Sequence, residues 1–343
     1  MSEAVRVTYR LGGGLAKDPA GAAEKIALGQ TVETWTVVDY AGDGAIEAHK
    51  ARVVDAGPWP GAPGVGRAVI DFPTANVEAS VAPLLTMILG KVSFAGPLRV
   101  EDVALPERFS ATFPGPKFGV PGLRRLLGVP HRPLAMSIFK PCLGLDPKQL
   151  AEMFEAQARG GVDLVKDDEI LPDYPTAPAL ERARRVREAA DRAEAETGRR
   201  CLYAVNLTGR ADALVERAVR LIDAGATALL FNVLAYGYPL LEALAAEPRV
   251  TVPIMAHPAL AGALAGGADR GIAYGTLLGT FTRLAGADMV LFPSAYGKPA
   301  LPIDETAAIT HALRDAPSPH AAALPGPSAG VHPGMVPRIV DDY

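Results

Sequence analysis

A lysine and three consecutive carboxylates follow an apolar run near the middle of the sequence. Residues 162–165 lead directly into Lys166, Asp167, Asp168 and Glu169. If the apolar run is a strand, period-2 alternation puts Lys166 and Asp168 on one side, and Glu169, just past the strand, can turn to meet them. Two carboxylates supply the hard oxygen ligands that suit Mg²⁺. The plain alternative is a lysine–aspartate salt bridge on a solvated loop.

The lysine needs an explanation of its own, because a cationic amine next to a metal ion is repelled. Lys166 either balances the carboxylate charges before a metal binds, or has reacted with CO₂. The reaction with CO₂ gives a carbamate, which is an anionic oxygen ligand. Both alternatives remain open on these residues alone.

The elements that would position these residues change in character along the chain. Residues 4–104 mix strands at 5–11, 32–39, 52–55, 67–72 and 98–105 with helices at 19–28 and 79–89. Clusters of proline and glycine follow at 113–119 and 130–133. We therefore predict an α+β domain at 1–129 and a second domain at 130–343.

The second domain has the pattern of an α/β protein with a parallel sheet. Seven apolar strands alternate with helical segments, at 134–140, 163–167, 202–206, 228–232, 252–256, 289–292 and 324–328. A (β/α)₈ barrel has eight strands, and its carboxyl end carries the active site. An open, doubly wound sheet would show the same alternation, but no GxGxxG turn follows the first strand.

Helix signals support this alternation after the first of the seven strands. Asp146 can cap a helix, Pro147 suits its first turn, Gln149 stands at the capping-box position and Gly160 can end it. The segment between two strands therefore predicts a crossover helix.

Composition excludes several classes of protein. The 343 residues are 49% hydrophobic and 21% charged, with a net charge of −4 and no basic stripe, so we expect no nucleic-acid partner. Two cysteines, Cys142 and Cys201, are too few for a disulfide framework, and Cys142 is expected to be an ordinary buried thiol. We find neither a leader pattern nor a membrane span, and expect a cytoplasmic enzyme.

Beyond these patterns, the motifs at 136–140, 161–171, 203–209, 230–233, 253–259, 284–288 and 327–334 resemble those of the RuBisCO superfamily. The similarity runs from about residue 23 to the end of the chain, and it is strongest to the RuBisCO-like branch of 2,3-diketo-5-methylthiopentyl-1-phosphate enolases. It implies a ferredoxin-like N-terminal domain, a C-terminal (β/α)₈ TIM-type barrel and a homodimer whose active sites are shared between subunits. It also implies a step of methionine salvage.

The resemblance assigns a role to each candidate site residue. It implies that Lys166, as a carbamate formed with CO₂, binds Mg²⁺ together with Asp168 and Glu169. It also implies that five residues contact a phosphorylated diketo substrate: Lys140, Asp167, His257, Ser328 and Gly330. Without the resemblance, a phosphate or enolate partner is plausible for Lys140, and the plain alternative is a salt bridge to Asp167 or Asp168. His257 fits a substrate contact and a structural histidine equally.

Lys91 matches the position of the general base in the enolase branch, where it is contributed across the dimer. A base must be neutral, and burial or a cationic neighbour would favour the neutral amine. Without the resemblance, a lysine just after a helix end is more often a partner of the helix C-terminus.

Two substitutions separate the chain from carboxylating relatives. Lys91 replaces their asparagine and Pro258 replaces their phosphate-binding arginine, so CO₂ fixation is not expected. In contrast, the segment 140–145 and Lys298 look more like the carboxylases. The chain stops at Tyr343, shortly after the seventh predicted strand, so we expect the barrel to be truncated before its eighth strand and to lack the glycine-rich phosphate loop.

The leading functional hypothesis is Mg²⁺-dependent keto–enol tautomerisation of the diketo phosphate through a stabilised enolate. One alternative is another RuBisCO-like reaction, such as isomerisation of methylthioribulose phosphate or decarboxylation of an oxo-acid sugar phosphate. The other alternative is an inactive scaffold paralogue.

Overall fold

The computed structural model describes residues 3–34 and 44–343 and contains two β-sheets. The predicted strand at 32–39 lies mostly outside the described residues. None of the helices in the described ranges is both long enough and apolar enough to cross a membrane.

The strands of the described residues follow the chain in this order: β1 (Ala4–Leu11), β2 (Arg52–Pro58), β3 (Gly66–Pro73), β4 (Leu98–Ala104), β5 (Met136–Ile138), β6 (Leu164–Lys166), β7 (Leu202–Asn206), β8 (Ala228–Phe231), β9 (Ile254–Ala256), β10 (Gly271–Ile272), β11 (Met289–Pro293) and β12 (Leu324–Ser328).

The α-helices of the described residues are α1 (Pro19–Gly29), α2 (Gly44–His49), α3 (Val81–Leu89), α4 (Glu107–Ser110), α5 (Gly119–Leu127), α6 (Pro147–Arg159), α7 (Ala179–Thr197), α8 (Leu214–Asp223), α9 (Val233–Tyr236), α10 (Tyr238–Ala246), α11 (Ala261–Ala265), α12 (Phe281–Leu284), α13 (Ile303–Arg314) and α14 (Val336–Asp342). A π-helical segment, Gly275–Thr280, precedes α12.

The first sheet has five strands in the order β10-β4-β1-β3-β2. Its central strand β1 runs antiparallel to β3 and β4, and its alternate residues Val5, Val7, Tyr9 and Leu11 are fully buried. This is the period-2 pattern that predicted the strand. The Tyr9 hydroxyl donates to the Ile88 carbonyl at 2.7 Å, which fixes α3 against the sheet.

The second sheet contains all seven strands predicted after residue 134, in the order β12-β11-β9-β8-β7-β6-β5. Every neighbouring pair is parallel. The carboxyl ends of these strands therefore meet at one edge, where Lys166 ends β6. The predicted capping box of α6 is confirmed, because the Asp146 carboxylate accepts from Gln149 N at 2.8 Å while Asp146 N donates to the Gln149 side chain at 3.0 Å.

Several contacts join the parts of the chain on either side of the predicted boundary at 129/130. β10 pairs in parallel with β4 of the first sheet. Helix α5, which precedes the boundary, packs Leu123 and Leu127 into a core formed with residues of the second sheet. The Asp288 carboxylate fixes this helix by accepting from Phe118 N at 2.7 Å and Gly119 N at 2.8 Å. The boundary itself remains a prediction.

Candidate active site

Lys166, Asp168 and Glu169 lie together at the carboxyl end of β6. The Lys166 side chain is only 1% exposed, and its Nζ lies 3.3 Å from Glu169 Oε2. The same amine donates to the Asp167 carbonyl at 3.0 Å. The charges of both Glu169 and Asp168 act on the amine. The structure thus brings Glu169, just past the strand, to Lys166 and Asp168, as the sequence suggested.

The environment of Lys166 favours its neutral form. Burial lowers the pKa of the amine below its usual range, and the nearby carboxylates, led by Glu169, oppose this only in part. A neutral amine is the nucleophile that can add to CO₂, whereas an ammonium group cannot. The lowered pKa increases the share of the neutral amine, which is the form that carbamate formation at Lys166 would require.

Lys140 forms the salt bridge that the sequence left open, and its partner is Asp168. Its Nζ lies 2.5 Å from Asp168 Oδ2 and 3.0 Å from Cys142 Sγ. Burial opposes ionisation of Asp168, but hydrogen bonds from Lys140 and from Ile170 N outweigh it and lower the pKa of the carboxyl. Cys142 is half-buried next to this amine, so the prediction of an ordinary buried thiol is wrong.

His257 follows β9 and brings a third element to the cluster. Its Nε2 lies 3.3 Å from Glu169 Oε2, and its Nδ1 accepts from Ala259 N at 3.2 Å. Burial lowers the pKa of the imidazole to about 4, so the ring is neutral near pH 7. With Nδ1 acting as acceptor, the ring proton is on Nε2 and points to Glu169.

Asp167 is not brought to this cluster. Its carboxylate is fully buried and accepts from Tyr203 Oη at 2.6 Å, Asn206 N at 2.9 Å and Arg182 Nη2 at 3.1 Å. Because neighbouring residues of a strand face opposite sides, its side chain points away from that of Lys166. The structure gives this carboxylate a buried ion pair with Arg182, and the substrate contact that the resemblance implied stays a prediction.

Two asparagines that the sequence analysis did not single out support the loop after β6. Asn206 Nδ2 donates to the carbonyls of Glu169 and Leu171, each at 2.9 Å. Asn232 Nδ2 lies 3.3 Å from the Glu169 carbonyl. Each is a polar residue at the end of an apolar strand, and that position was the available signal.

Ser328 and Gly330 lie at the same edge, on and just after the end strand β12. The Ser328 hydroxyl donates to the Phe292 carbonyl at 3.1 Å. Gly330 has a φ of +72°, and an added Cβ would lie 3.1 Å from Lys298 N. Lys298 N donates to the Ala329 carbonyl at 2.9 Å, so the two loops are held together.

Lys91 occupies a different part of the described structure. It begins a 3₁₀ turn, Lys91–Phe94, directly after α3, and its Nζ lies 2.6 Å from Glu33 Oε2. The Lys91 side chain is 60% exposed, and Phe94 in the same turn is 92% exposed. Within one chain, the amine is therefore paired with Glu33 and not with the Lys166 cluster.

The side chains of the cluster suit a hard cation only if the Lys166 amine is converted to a carbamate. Among the described residues, His, Cys, Asp and Glu alone form no group of three that could hold a metal. Asp168 and Glu169 provide two carboxylates, and a carbamate on the buried amine of Lys166 would add a third anionic oxygen group. Such an oxygen-rich set suits Mg²⁺.

Comparison with known proteins gives one consistent relationship. Residues 119–316 match the family model of the ribulose bisphosphate carboxylase large chain, catalytic domain. A 2,3-diketo-5-methylthiopentyl-1-phosphate enolase from Exiguobacterium sibiricum is 45% identical over 99% of this chain and 84% of its own length. An enolase of the same name from Microcystis aeruginosa is 46% identical over 94% of this chain and 81% of its own length.

Solved structures agree with the sequence comparison. A rubisco-like protein (MtnW) from Alicyclobacillus acidocaldarius is 46% identical and superposes with a TM-score of 0.91, over 99% of this chain and 86% of that one. An octameric ribulose-1,5-bisphosphate carboxylase/oxygenase from Pyrococcus horikoshii is 28% identical with a TM-score of 0.90, over 99% of this chain and 80% of that one.

Proposed function

The chain belongs to the ribulose bisphosphate carboxylase large-chain family, and from that premise we propose that it is a 2,3-diketo-5-methylthiopentyl-1-phosphate enolase. The reaction is a keto–enol tautomerisation in methionine salvage, which makes the protein an isomerase. The observation that carries the proposal is the buried Lys166 amine beside Asp168 and Glu169, in a chain that is 45% identical to an enolase of that name.

Tautomerisation removes a proton from the carbon next to a carbonyl group, and negative charge develops on the carbonyl oxygen. Lys166 as a carbamate, Asp168 and Glu169 would hold Mg²⁺. When bound, Mg²⁺ supplies electrostatic stabilisation of the developing oxygen charge. The lowered pKa of Asp168 keeps this carboxylate ionised at neutral pH.

The remaining cluster residues orient and bind. Lys140 is 61% exposed and presents a cation at the mouth of the site, where an anionic group of the substrate can meet it. Neutral His257 places its Nε2 proton toward Glu169 and so fixes the direction of that carboxylate. Ser328 and Gly330 provide further substrate contacts from β12 and the loop after it.

Lys91 is the proposed general base, acting in the site of a second subunit of a homodimer. Its turn is exposed and carries the exposed Phe94, as expected of a segment that docks onto another surface. Because Lys91 and Pro258 replace the asparagine and arginine of the carboxylases, we propose that the enzyme does not fix CO₂. We also propose that it is cytoplasmic.

The first test follows the ultraviolet absorbance of diketone tautomerisation with Mg²⁺, with and without bicarbonate preincubation. We expect activity to require both, and to be lost in Lys166→Ala and in Lys91→Ala. Lys50→Ala is the matched control for Lys91, because Lys50 is also an exposed lysine paired with a glutamate, Glu47 at 3.7 Å. Loss of activity in Lys166→Ala with full activity in Lys91→Ala would eliminate the base assignment.

A second test asks whether the site is shared between subunits. Lys166→Ala and Lys91→Ala chains are unfolded together and refolded as a mixture. Heterodimers of a shared-site enzyme contain one site with both lysines intact, so the mixture regains part of the activity that neither variant has alone. No regain would contradict a shared site. A wild-type protein that binds Mg²⁺ but leaves the diketone unchanged would redirect the assignment to another RuBisCO-like reaction.

A further inference from the structure

Asn206 and Asn232 form an amide pair beneath Glu169. Asn206 ends β7, and its Nδ2 donates to the Glu169 and Leu171 carbonyls at 2.9 Å each. Asn232 follows β8, and its Nδ2 lies 3.3 Å from the same Glu169 carbonyl and 3.4 Å from Asn206 Oδ1. Two amides from neighbouring strands therefore converge on one main-chain oxygen.

The contacts fix the orientation of both amides. Rotating the Asn206 amide by 180° would turn its oxygen toward two carbonyl oxygens, and rotating that of Asn232 would do the same toward Glu169 O and Asn206 Oδ1. The donor side of each amide must therefore face the Glu169 loop. Both assignments follow from the requirement that a donor meet an acceptor.

Within the described part of the chain, the amide group of Asn232 has a donor that is used and an acceptor that is not. The residue is only 8% exposed, and its Oδ1 is buried without a hydrogen-bond partner among the described residues. It also precedes α9 at the capping position without making a side-chain cap. A buried acceptor without a donor costs stability. A residue present only for packing would be apolar, so the use of Asn232 lies in its donor group.

We propose that Asn232 is a positioning residue that acts through Glu169. The inference rests on the proposed function, since it assigns Glu169 to the Mg²⁺ site. Asn232 Nδ2 holds the Glu169 carbonyl, which fixes the backbone from which the carboxylate reaches toward Lys166 Nζ and His257 Nε2, both at 3.3 Å. Residues that orient a metal ligand typically change metal affinity or activity 10–100-fold when they are removed.

The test compares wild type, Asn232→Ala and Asn76→Ala. Asn76 is the matched control, because its Nδ2 also donates to a main-chain carbonyl, that of His49 at 2.7 Å, at an exposed position. Mg²⁺ binding to bicarbonate-treated protein is measured by titration calorimetry, alongside melting temperature, kcat and KM. If Asn232→Ala lacks a folded state, Asn232→Ser takes its place.

In Asn232→Ala we expect the Kd for Mg²⁺ to rise about 10–100-fold, kcat to fall, and KM for the diketone and the melting temperature to change little. Asn76→Ala should match wild type. The Asn206→Ala/Asn232→Ala double variant should lose less than the product of the two single losses, because both amides serve one carbonyl.

Unchanged Mg²⁺ affinity and kcat in Asn232→Ala would overturn the inference while leaving the proposed function intact. A loss that only follows a lowered melting temperature would also overturn it, since that is the result of a purely structural role. A folded wild-type protein without Mg²⁺ binding or diketone turnover would overturn the proposed function and the inference together.

Discussion

Substitution of Asp167 by asparagine separates a structural role from a role in substrate binding. The Asp167–Arg182 pair is 0% exposed on both sides, with Asp167 Oδ2 at 3.1 Å from Arg182 Nη2. Asparagine keeps the shape and one acceptor oxygen, but it removes the negative charge. The Arg182 guanidinium then remains buried without a counter-charge.

The expected loss of unfolding free energy follows from the unpaired buried charge of Arg182. Removing one partner of a buried ion pair typically costs about 3–5 kcal/mol, and Asp167 also accepts hydrogen bonds from Tyr203 and Asn206. We expect Asp167→Asn to lose about 3–5 kcal/mol of unfolding free energy. Arg182 also donates to the carbonyls of Pro172 and Ala177, so the loop that carries Asp168 and Glu169 should loosen.

The assay is equilibrium unfolding in urea, which reports the change in midpoint at a constant slope. Glu152→Gln is the control, because its partner Lys148 is exposed and 3.7 Å away. An exposed helical pair of this kind is worth about 0.3–0.5 kcal/mol. The double variant Asp167→Asn/Arg182→Met should recover part of the loss, since it removes the uncompensated charge.

A stable Asp167→Asn protein would refute this reasoning. If the variant unfolds within about 1 kcal/mol of wild type but has a strongly raised KM for the diketone, the carboxylate acts on the substrate. That result would restore the role implied by the resemblance.

Three further results are expected. Burial raises the pKa of Asp288 despite its hydrogen bonds from backbone N–H groups, so the folded state retains the proton to higher pH than the unfolded state. The stability of wild type relative to Asp288→Asn should therefore fall as pH rises above about 3.8. A difference in urea midpoints that does not change with pH would contradict this. Burial also raises the pKa of Cys201 to about 12, so iodoacetamide at pH 8 should label Cys142 and spare Cys201 until urea unfolds the chain, as read by peptide mass spectrometry. Gly330→Ala should destabilise the protein more than Gly128→Ala in the same urea assay, by about 1 kcal/mol or more. Both glycines have positive φ, but of the two only Gly330 has a backbone atom 3.1 Å from the added Cβ. Equal losses would show that the loop at Gly330 shifts to make room for the Cβ.

The sequence by itself determined the features that depend on near neighbours in the chain. Seven apolar runs at the right spacing predicted the seven strands of the parallel sheet, and all of them are present. Alternation placed Lys166 and Asp168 on one face. The cap of α6 followed from Asp146 and Gln149, which are three residues apart. Each of these signals is carried by a local period or spacing, so no tertiary information was needed.

Only the tertiary structure decided which distant residues meet. Arg182 lies 15 positions after Asp167, yet its guanidinium pairs with that buried carboxylate. Asn232 lies 63 positions after Glu169 and reaches its carbonyl from another strand. Lys140 and Asp168 join β5 to β6 across the strand ends. The first contact depends on how α7 packs, and the other two depend on how parallel strands align laterally. No periodicity within a single element encodes either arrangement.

The two sheets also separate what local sequence predicts from what only the fold decides. β1 was predicted from its own alternation, whereas β10 is a two-residue strand far along the chain that could be assigned only from its pairing with β4. Helix α5 carries helical periodicity but no signal for which sheet it covers, and it packs against the second. Local sequence fixes the type of an element because backbone and side-chain geometry repeat within it, but its partner is decided by the packing of the whole chain.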